Sequence, residues 1–370
     1  MFLKKNCSKL LNINLFQINM EFSYLIIRWY QENKRDLPWR HTNDPYLVWV
    51  SEVILQQTRV EQGIGYYYRF IDRFPDIESL AMAEEEEVMK IWQGLGYYTR
   101  ARNMHHSARS LHKDNKSEFP ASYDEIKKMK GVGDYSASAI SSIVFREPHP
   151  VIDGNVLRVM TRFEGISDPI NSAACKTKIR KTLEKFIDRS QPGIFNQALM
   201  ELGALICKPK QPLCEKCPIM RNCFANKNES VTEFPVIRKL KPAKTRFFYY
   251  LVIVSGKDRK KYTWLNKRTE SDIWKNLYDF PLIETEKERS ISVIQSENDW
   301  KTIFGNHQVE TDPLIVSSCH KLSHQELRVV FVQVRSDLFS NDSLIKVSIS
   351  DIHKYPVPRL IENYLKKIGW

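Results

Sequence analysis

Two textures divide the chain. Up to about residue 225, runs of apolar residues recur at helical spacing between Gly and Pro breaks. The stretch EFSYLIIRWYQENK predicts one helix. PYLVWVSEVILQQTRVEQGIGYYYRFIDRF contains another, starting near Asp44-Pro45 with Pro at the helix start. AEEEEVMKIWQ, RARNMHHSARSLHK, SYDEIKKMK, SASAISSIVF, NVLRVMTRFEG and IRKTLEKFI predict the rest. The run Glu84 to Glu87 reads as a solvated first turn, favoured by the helix dipole. Residues 226–245, NKNESVTEFPVIRKLKPAKT, are polar and proline-bearing and read as a linker. Beyond them the pattern turns aromatic and β-branched. RFFYYLVIVSG, KYTWLNKR, NLYDFPLIE, LIVSSCHKL and ELRVVFVQV predict strands, with helices at SVIQSENDWKTIFG and PRLIENYLKKIG. The expectation is a mainly α N-terminal region and an α+β C-terminal domain over residues 246–370, with no internal repeat.

The length of 370 residues suits two domains, and 42% hydrophobic residues suffice for real cores. No apolar run is long enough to span a membrane. The net charge of +12 points to an acidic partner, nucleic acid first and a membrane surface second. Residues 1–20 resemble a weak signal peptide, but Asn and Gln interrupt the apolar stretch and no cleavage site follows. They read as a disordered extension or a start upstream of Met20, and the protein as cytoplasmic, associated with the nucleoid if bacterial.

Four of seven cysteines crowd into LICKPKQPLCEKCPIMRNCF: Cys207, Cys214, Cys217 and Cys223, spaced C-x6-C-x2-C-x5-C. Cys7, Cys175 and Cys319 are scattered, so a metal site is a better reading than a disulfide framework. Structural zinc sites pair cysteines two to four apart, and only Cys214 and Cys217 do so. The wider loops favour a [4Fe–4S] cube over zinc. Lys208, Lys210, Lys216 and Arg221, stiffened by three prolines, suit phosphate contact.

Three further stretches carry chemistry. In KMKGVGDYSASAIS, Gly131 and Gly133 turn sharply into a helix of small residues, whose free N–H groups suit a phosphate. In VIDGNVLRV, Asp153 is an ordinary N-cap on its own merits. In WVSEVILQQTRV, Val50, Val53, Ile54 and Leu55 make the helix apolar almost all round, so Glu52 is buried with Gln56 on its face. A buried carboxyl either keeps its proton, as a general acid would, or pairs with an arginine.

Together LPWR, SEVILQQTRV, WQGLGYYTRARN, GVGDYSASAI, IDGNVLRV, FNQALMELGALIC and the cysteine pattern resemble the helix–hairpin–helix base-excision glycosylases, and most of all the MutY-type adenine DNA glycosylases. The resemblance is strong from Glu21 to about Asn226 and thinner beyond, through WKNLYDFP and HKLSHQEL. It implies an iron–sulfur subdomain of residues 21–36 and 151–225 around a six-helix subdomain of residues 37–150. It implies one structural [4Fe–4S] cluster on the four cysteines. The implied partner is double-stranded DNA holding adenine opposite 8-oxoguanine or guanine, met by a monomer, with no membrane.

By the same resemblance Glu52 is the general acid, Asp153 stabilises the sugar cation, and Tyr135 and Asn155 orient them. Arg35, Leu37 and Trp39 line the adenine pocket, while Gln56 and Tyr97 fill the opened stack. Tyr135 stands where endonuclease III-type relatives carry a Schiff-base lysine, and Leu157 removes another possible amine, so a monofunctional enzyme is expected. The C-terminal domain resembles a Nudix fold without its glutamate-rich metal box. Leu322, Ser323 and His324 match its lesion-reading loop, with Leu322 replacing an aromatic ring. The alternatives are an endonuclease III-like lyase and a non-catalytic lesion sensor, which would need neither Glu52 nor Asp153.

Overall fold

The computed structural model describes residues 21–238, 243–256, 261–305, 307, 309–322 and 324–370. The N-terminal extension and Ser323 lie outside the described residues. The helices are α1 (residues 21–33), α2 (Pro45–Leu55), α3 (Val60–Arg73), α4 (Ile77–Met82), α5 (Glu85–Trp92), α6 (Thr99–Asn115), α7 (Tyr123–Lys128), α8 (Asp134–Val144), α9 (Gly154–Glu164), α10 (Ala173–Phe186), α11 (Pro192–Leu205) and α12 (Phe224–Lys227). Then come β1 (Lys244–Ser255), β2 (Tyr262–Lys267), β3 (Tyr278–Asp279), β4 (Leu282–Thr285), α13 (Ile291–Ser296), α14 (Asn298–Phe304), β5 (Glu310–Lys321), β6 (Gln325–Arg335), β7 (Ile345–Ser348) and α15 (Arg359–Ile368). Among the described residues no helix is long and apolar enough to cross a membrane.

The described residues fall into two compact units, and Met82–His105 clusters with the strands after residue 242. In the helical unit, α1 closes a core against α9, α10 and α11. Phe22 meets the rings of Phe163 at 4.8 Å and Phe186 at 4.6 Å, and Ile26, Val156, Ile179 and Leu202 are buried with it. Helix α11 escapes the sequence reading because nearly every face of it is buried, which erases the amphipathic stripe. Two glycines let it touch neighbouring backbone. A Cβ on Gly193 would meet Ile143 Cα and Ser142 O at 2.7 Å, and one on Gly203 would meet Asn155 Cβ at 2.6 Å. Helix α9 ends at Gly165 in the left-handed conformation, φ 67°, against the ring of Phe224. The polar stretch after the cysteines is tied down as well. Phe234 O accepts from Arg162 Nε at 3.0 Å, and Val236 O accepts from Ile170 N at 2.8 Å.

In the other unit the strand order is β3-β2-β1-β6-β5, with β4 on β1 and β7 on β2. The β1–β6 pair is parallel and the other pairs are antiparallel. Alternate residues of β1 feed two cores. Phe248, Tyr250 and Val252 face α15, and Tyr249, Leu251 and Ile253 join Ile294, Trp300 and Phe304 of α13 and α14. Burial on both faces explains the unbroken apolar run of β1. The acidic run that opens α5 is only partly solvated. Glu85 accepts from Asn276 Nδ2, and Glu86 accepts from Lys267 Nζ and the Tyr278 hydroxyl. Those partners lie some 190 residues away, which no local pattern shows.

Gly193→Ala is expected to force α8 and α11 apart at backbone atoms and to cost about 1–3 kcal/mol of unfolding free energy. A denaturant titration at fixed m-value checks this.

Candidate active site

One cavity of about 180 Å³ in the helical unit gathers residues from five segments: Arg35, Leu37 and Trp39, then Glu52, then Tyr135, then Asp153 and Asn155, then Glu201. Helix α2 starts cleanly, with Asp44 accepting from Tyr46 N at 2.8 Å and Leu47 N at 3.2 Å ahead of Pro45. Its apolar faces carry Glu52 inward, where the side chain is 6% exposed and Oε2 has no hydrogen-bond partner. Burial pushes the Glu52 carboxyl up to about 7, and the Asp153 charge adds to this, while the Tyr135 phenol and Arg40 pull the other way. Tyr135, in the first turn of α8, is partly buried, and its desolvation beside Glu52 and Asp153 pushes its phenol upward, so it stays neutral. Its hydroxyl points to Met200 Sδ at 3.8 Å.

Asp153 is the N-cap of α9. Its Oδ1 accepts from Val156 N at 2.7 Å and its Oδ2 from Asn155 Nδ2 at 2.8 Å. Burial raises this carboxyl too, but the two hydrogen bonds offset part of the rise. Asn155 is held in turn by Arg158, whose Nη2 donates to Asn155 Oδ1 at 2.9 Å and Gly203 O at 2.8 Å, and whose Nε donates to Cys207 O at 2.7 Å.

Sequence reasoning missed Glu201 and Arg40. Glu201 is 1% exposed on α11. It accepts from Arg35 Nε at 3.0 Å and Nη2 at 2.8 Å, and from Arg40 Nη1 at 3.1 Å and Nη2 at 2.8 Å. Against burial, these bonds hold its carboxyl down at about 2. The signal was present in ELGALIC: a lone carboxylate inside an apolar helix, the argument already applied to Glu52.

The remaining predicted residues are placed as follows. Gln56 caps the end of α2 and donates from Nε2 to Ser136 Oγ at 3.0 Å. Gly131 takes the left-handed conformation at φ 84°, whereas Gly133 has an ordinary φ of −100°, with open space where a Cβ would be. Tyr97 belongs to the strand-bearing unit and is exposed there. Leu322 closes the turn between β5 and β6, donating its N–H to Gln325 O at 2.8 Å and packing on the strand core. His324 is tied through its carbonyl to Lys244 N at 3.3 Å.

The four clustered thiols line a second cavity. Four thiolate donors around one cavity fit a cube of iron and sulfide bound through one cysteine per iron. Arg162, buried in α9, donates to Cys207 Sγ at 3.3 Å and Lys208 O at 2.8 Å. A cation beside the sulfurs suits an anionic cluster–thiolate assembly.

Residues 50–188 match the HhH-GPD superfamily of base excision DNA repair proteins, and residues 249–367 match the NUDIX domain. The chain is 32% identical over 351 residues to an adenine DNA glycosylase of Buchnera aphidicola subsp. Schizaphis graminum, covering 93% of this chain and 98% of that protein. It is 32% identical over 418 residues to that of Schizosaccharomyces pombe, covering 94% and 90%. In fold it is similar to a thermostable thymine-DNA glycosylase, with a TM-score of 0.53 and 26% identity, covering 59% of this chain and 99% of that one. Matched along nearly its whole length, the chain belongs to the adenine DNA glycosylase family, the DNA N-glycosylases of base excision repair.

Proposed function

We propose that this enzyme hydrolyses the N-glycosidic bond of adenine opposite 8-oxoguanine or guanine, with Glu52 as general acid and Asp153 facing the developing sugar cation. The observation that carries this reading is one cavity holding two carboxyls in different surroundings, Glu52 with an unpaired buried oxygen and Asp153 with both oxygens hydrogen-bonded. Adenine leaves poorly until a ring nitrogen is protonated. Glu52 keeps its proton near neutrality and has an unpaired oxygen to direct at the base. Bond cleavage leaves an oxocarbenium-like sugar. Asp153, pinned by Val156 N–H and the Asn155 amide, presents negative charge to it. Water then adds to C1′ and yields its proton to a carboxylate, leaving free adenine and an abasic site. Arg35, fixed by Glu201, joins Leu37 and Trp39 as the wall of the base pocket. No lysine is among the described residues lining it, so Schiff-base strand cleavage has no amine to start from.

Cys207, Cys214, Cys217 and Cys223 would hold a [4Fe–4S] cluster, whose contribution is to shape the basic loop for phosphate contact. Gln56 and Tyr97 fill the gap left by the flipped nucleotide, at a flipping cost of about a few kcal/mol. Ser323 and His324 read the partner base. Phosphate contacts carry no base information, and oxidation adds an N7 hydrogen and an O8 oxygen that small polar side chains distinguish.

A labelled duplex with adenine opposite 8-oxoguanine should be cut only after alkali treatment, and a duplex with an oxidised pyrimidine should not be cut. Strand breaks without alkali, or no adenine release, would sink the assignment. Glu52→Gln should lower single-turnover base release by about a hundredfold or more while leaving duplex affinity intact. In the wild type the same rate should fall as pH rises past about 7, because the working form of Glu52 is the protonated one. It should also fall in acid as Asp153 gains a proton. Protein purified without oxygen should contain four iron and four sulfide per chain, and stoichiometric zinc in their place would remove the cluster from the proposal.

A further inference from the structure

The turn between α5 and α6 holds a tyrosine in a backbone shape that tyrosine does not choose. Gly94, Gly96 and Tyr97 all have left-handed φ, at 89°, 77° and 48°. For glycine this is cheap, but for tyrosine it is strained. Tyr97 is 49% exposed, and the Arg100 guanidinium lies over its ring, 5.3 Å from the centroid. The turn is braced from within: Trp92 Nε1 and Arg100 Nη2 both donate to Gly96 O, at 3.1 and 3.3 Å.

It is braced again by one residue far along the chain but in the same compact unit. Val357 N donates to Gln93 Oε1 at 3.2 Å, and Tyr98 Oη donates to Val357 O at 3.1 Å while accepting from Gly94 N at 3.2 Å. Gln93 and Tyr98 are the two shoulders of the turn, at the end of α5 and just before α6. Val357 lies between Pro356 and Pro358, which have no N–H, so its peptide supplies the only donor of the three. It is buried at the head of α15, and Tyr278 N anchors Pro356 O at 2.9 Å.

We infer that Gln93 and Tyr98 are positioning residues that, clamped on the Val357 peptide, hold the Tyr97 ring outward as a rigid wedge for the DNA base stack. This rests on the duplex reading above. A ring that enters a stack already fixed in its bound shape loses no ordering entropy on insertion.

A duplex with 2-aminopurine beside adenine opposite 8-oxoguanine reports unstacking as fluorescence. Full-length wild type should raise the signal on binding. Tyr98→Phe with Gln93→Ala should cut the rise by about threefold or more, with matched-duplex affinity unchanged and the protein still folded at the assay temperature. Tyr97→Ala should cut it in the wild-type background and add nothing in the clamp variant. Gln93→Glu, which keeps the acceptor, should retain the rise. A wild-type rise in the clamp variant, or an equal loss from Tyr97→Ala in both backgrounds, overturns the clamp while adenine release stands. A wild type that releases no adenine removes the duplex reading and the wedge with it.

Discussion

The guanidinium of Arg158 is the joint of the helical unit. It reaches the carbonyl of the first clustered cysteine, the carbonyl of Gly203 and the side chain of Asn155, which in turn grips Asp153. Burial lowers the Arg158 pKa, yet a guanidinium keeps its proton, and its donors are spent on fixed acceptors. Four positions that sequence scatters over more than fifty residues thereby share one geometry. The cysteine loop and the cavity are two ends of one hydrogen-bonded chain.

Electrostatics then assigns the work. Glu201 and Glu52 are both buried acids on apolar helices, and both line the same cavity. Glu201 is ion-paired with two arginines and is held at about 2, whereas Glu52 feels Arg40 only as its smallest influence and is lifted by burial to about 7. Desolvation acts on both in the same direction, and the partners decide the outcome. The first is an anion locked to Arg35 and Arg40, and the second holds its proton up to a pH of about 7.

Much of this was legible in the residues. Glu52 announces itself because its helix is apolar all round, and Asp153 is both the plain N-cap it looked like and a member of the cavity. The strand textures after residue 245 survive in the sheet, with β7 the short exception. The unreadable parts are those with distant partners. Arg35 and Arg40 meet Glu201 across more than 160 residues, and α11, buried all round, shows no periodicity. Nothing local in WQGLGYYTR says that two of its side chains answer to a proline-flanked valine near the end of the chain.

Helix α9 concentrates these dependencies. Within eleven residues after its cap it carries Asn155, Arg158 and Arg162. Each turn of helix takes about 3.6 residues, so one inserted or deleted residue rotates everything beyond it by about 100°. A slip after Asn155 would swing both arginines off the cysteine loop while leaving Asp153 in place. Length change is therefore barred where substitution is merely graded, and over evolutionary time this segment can drift in letters but not in spacing.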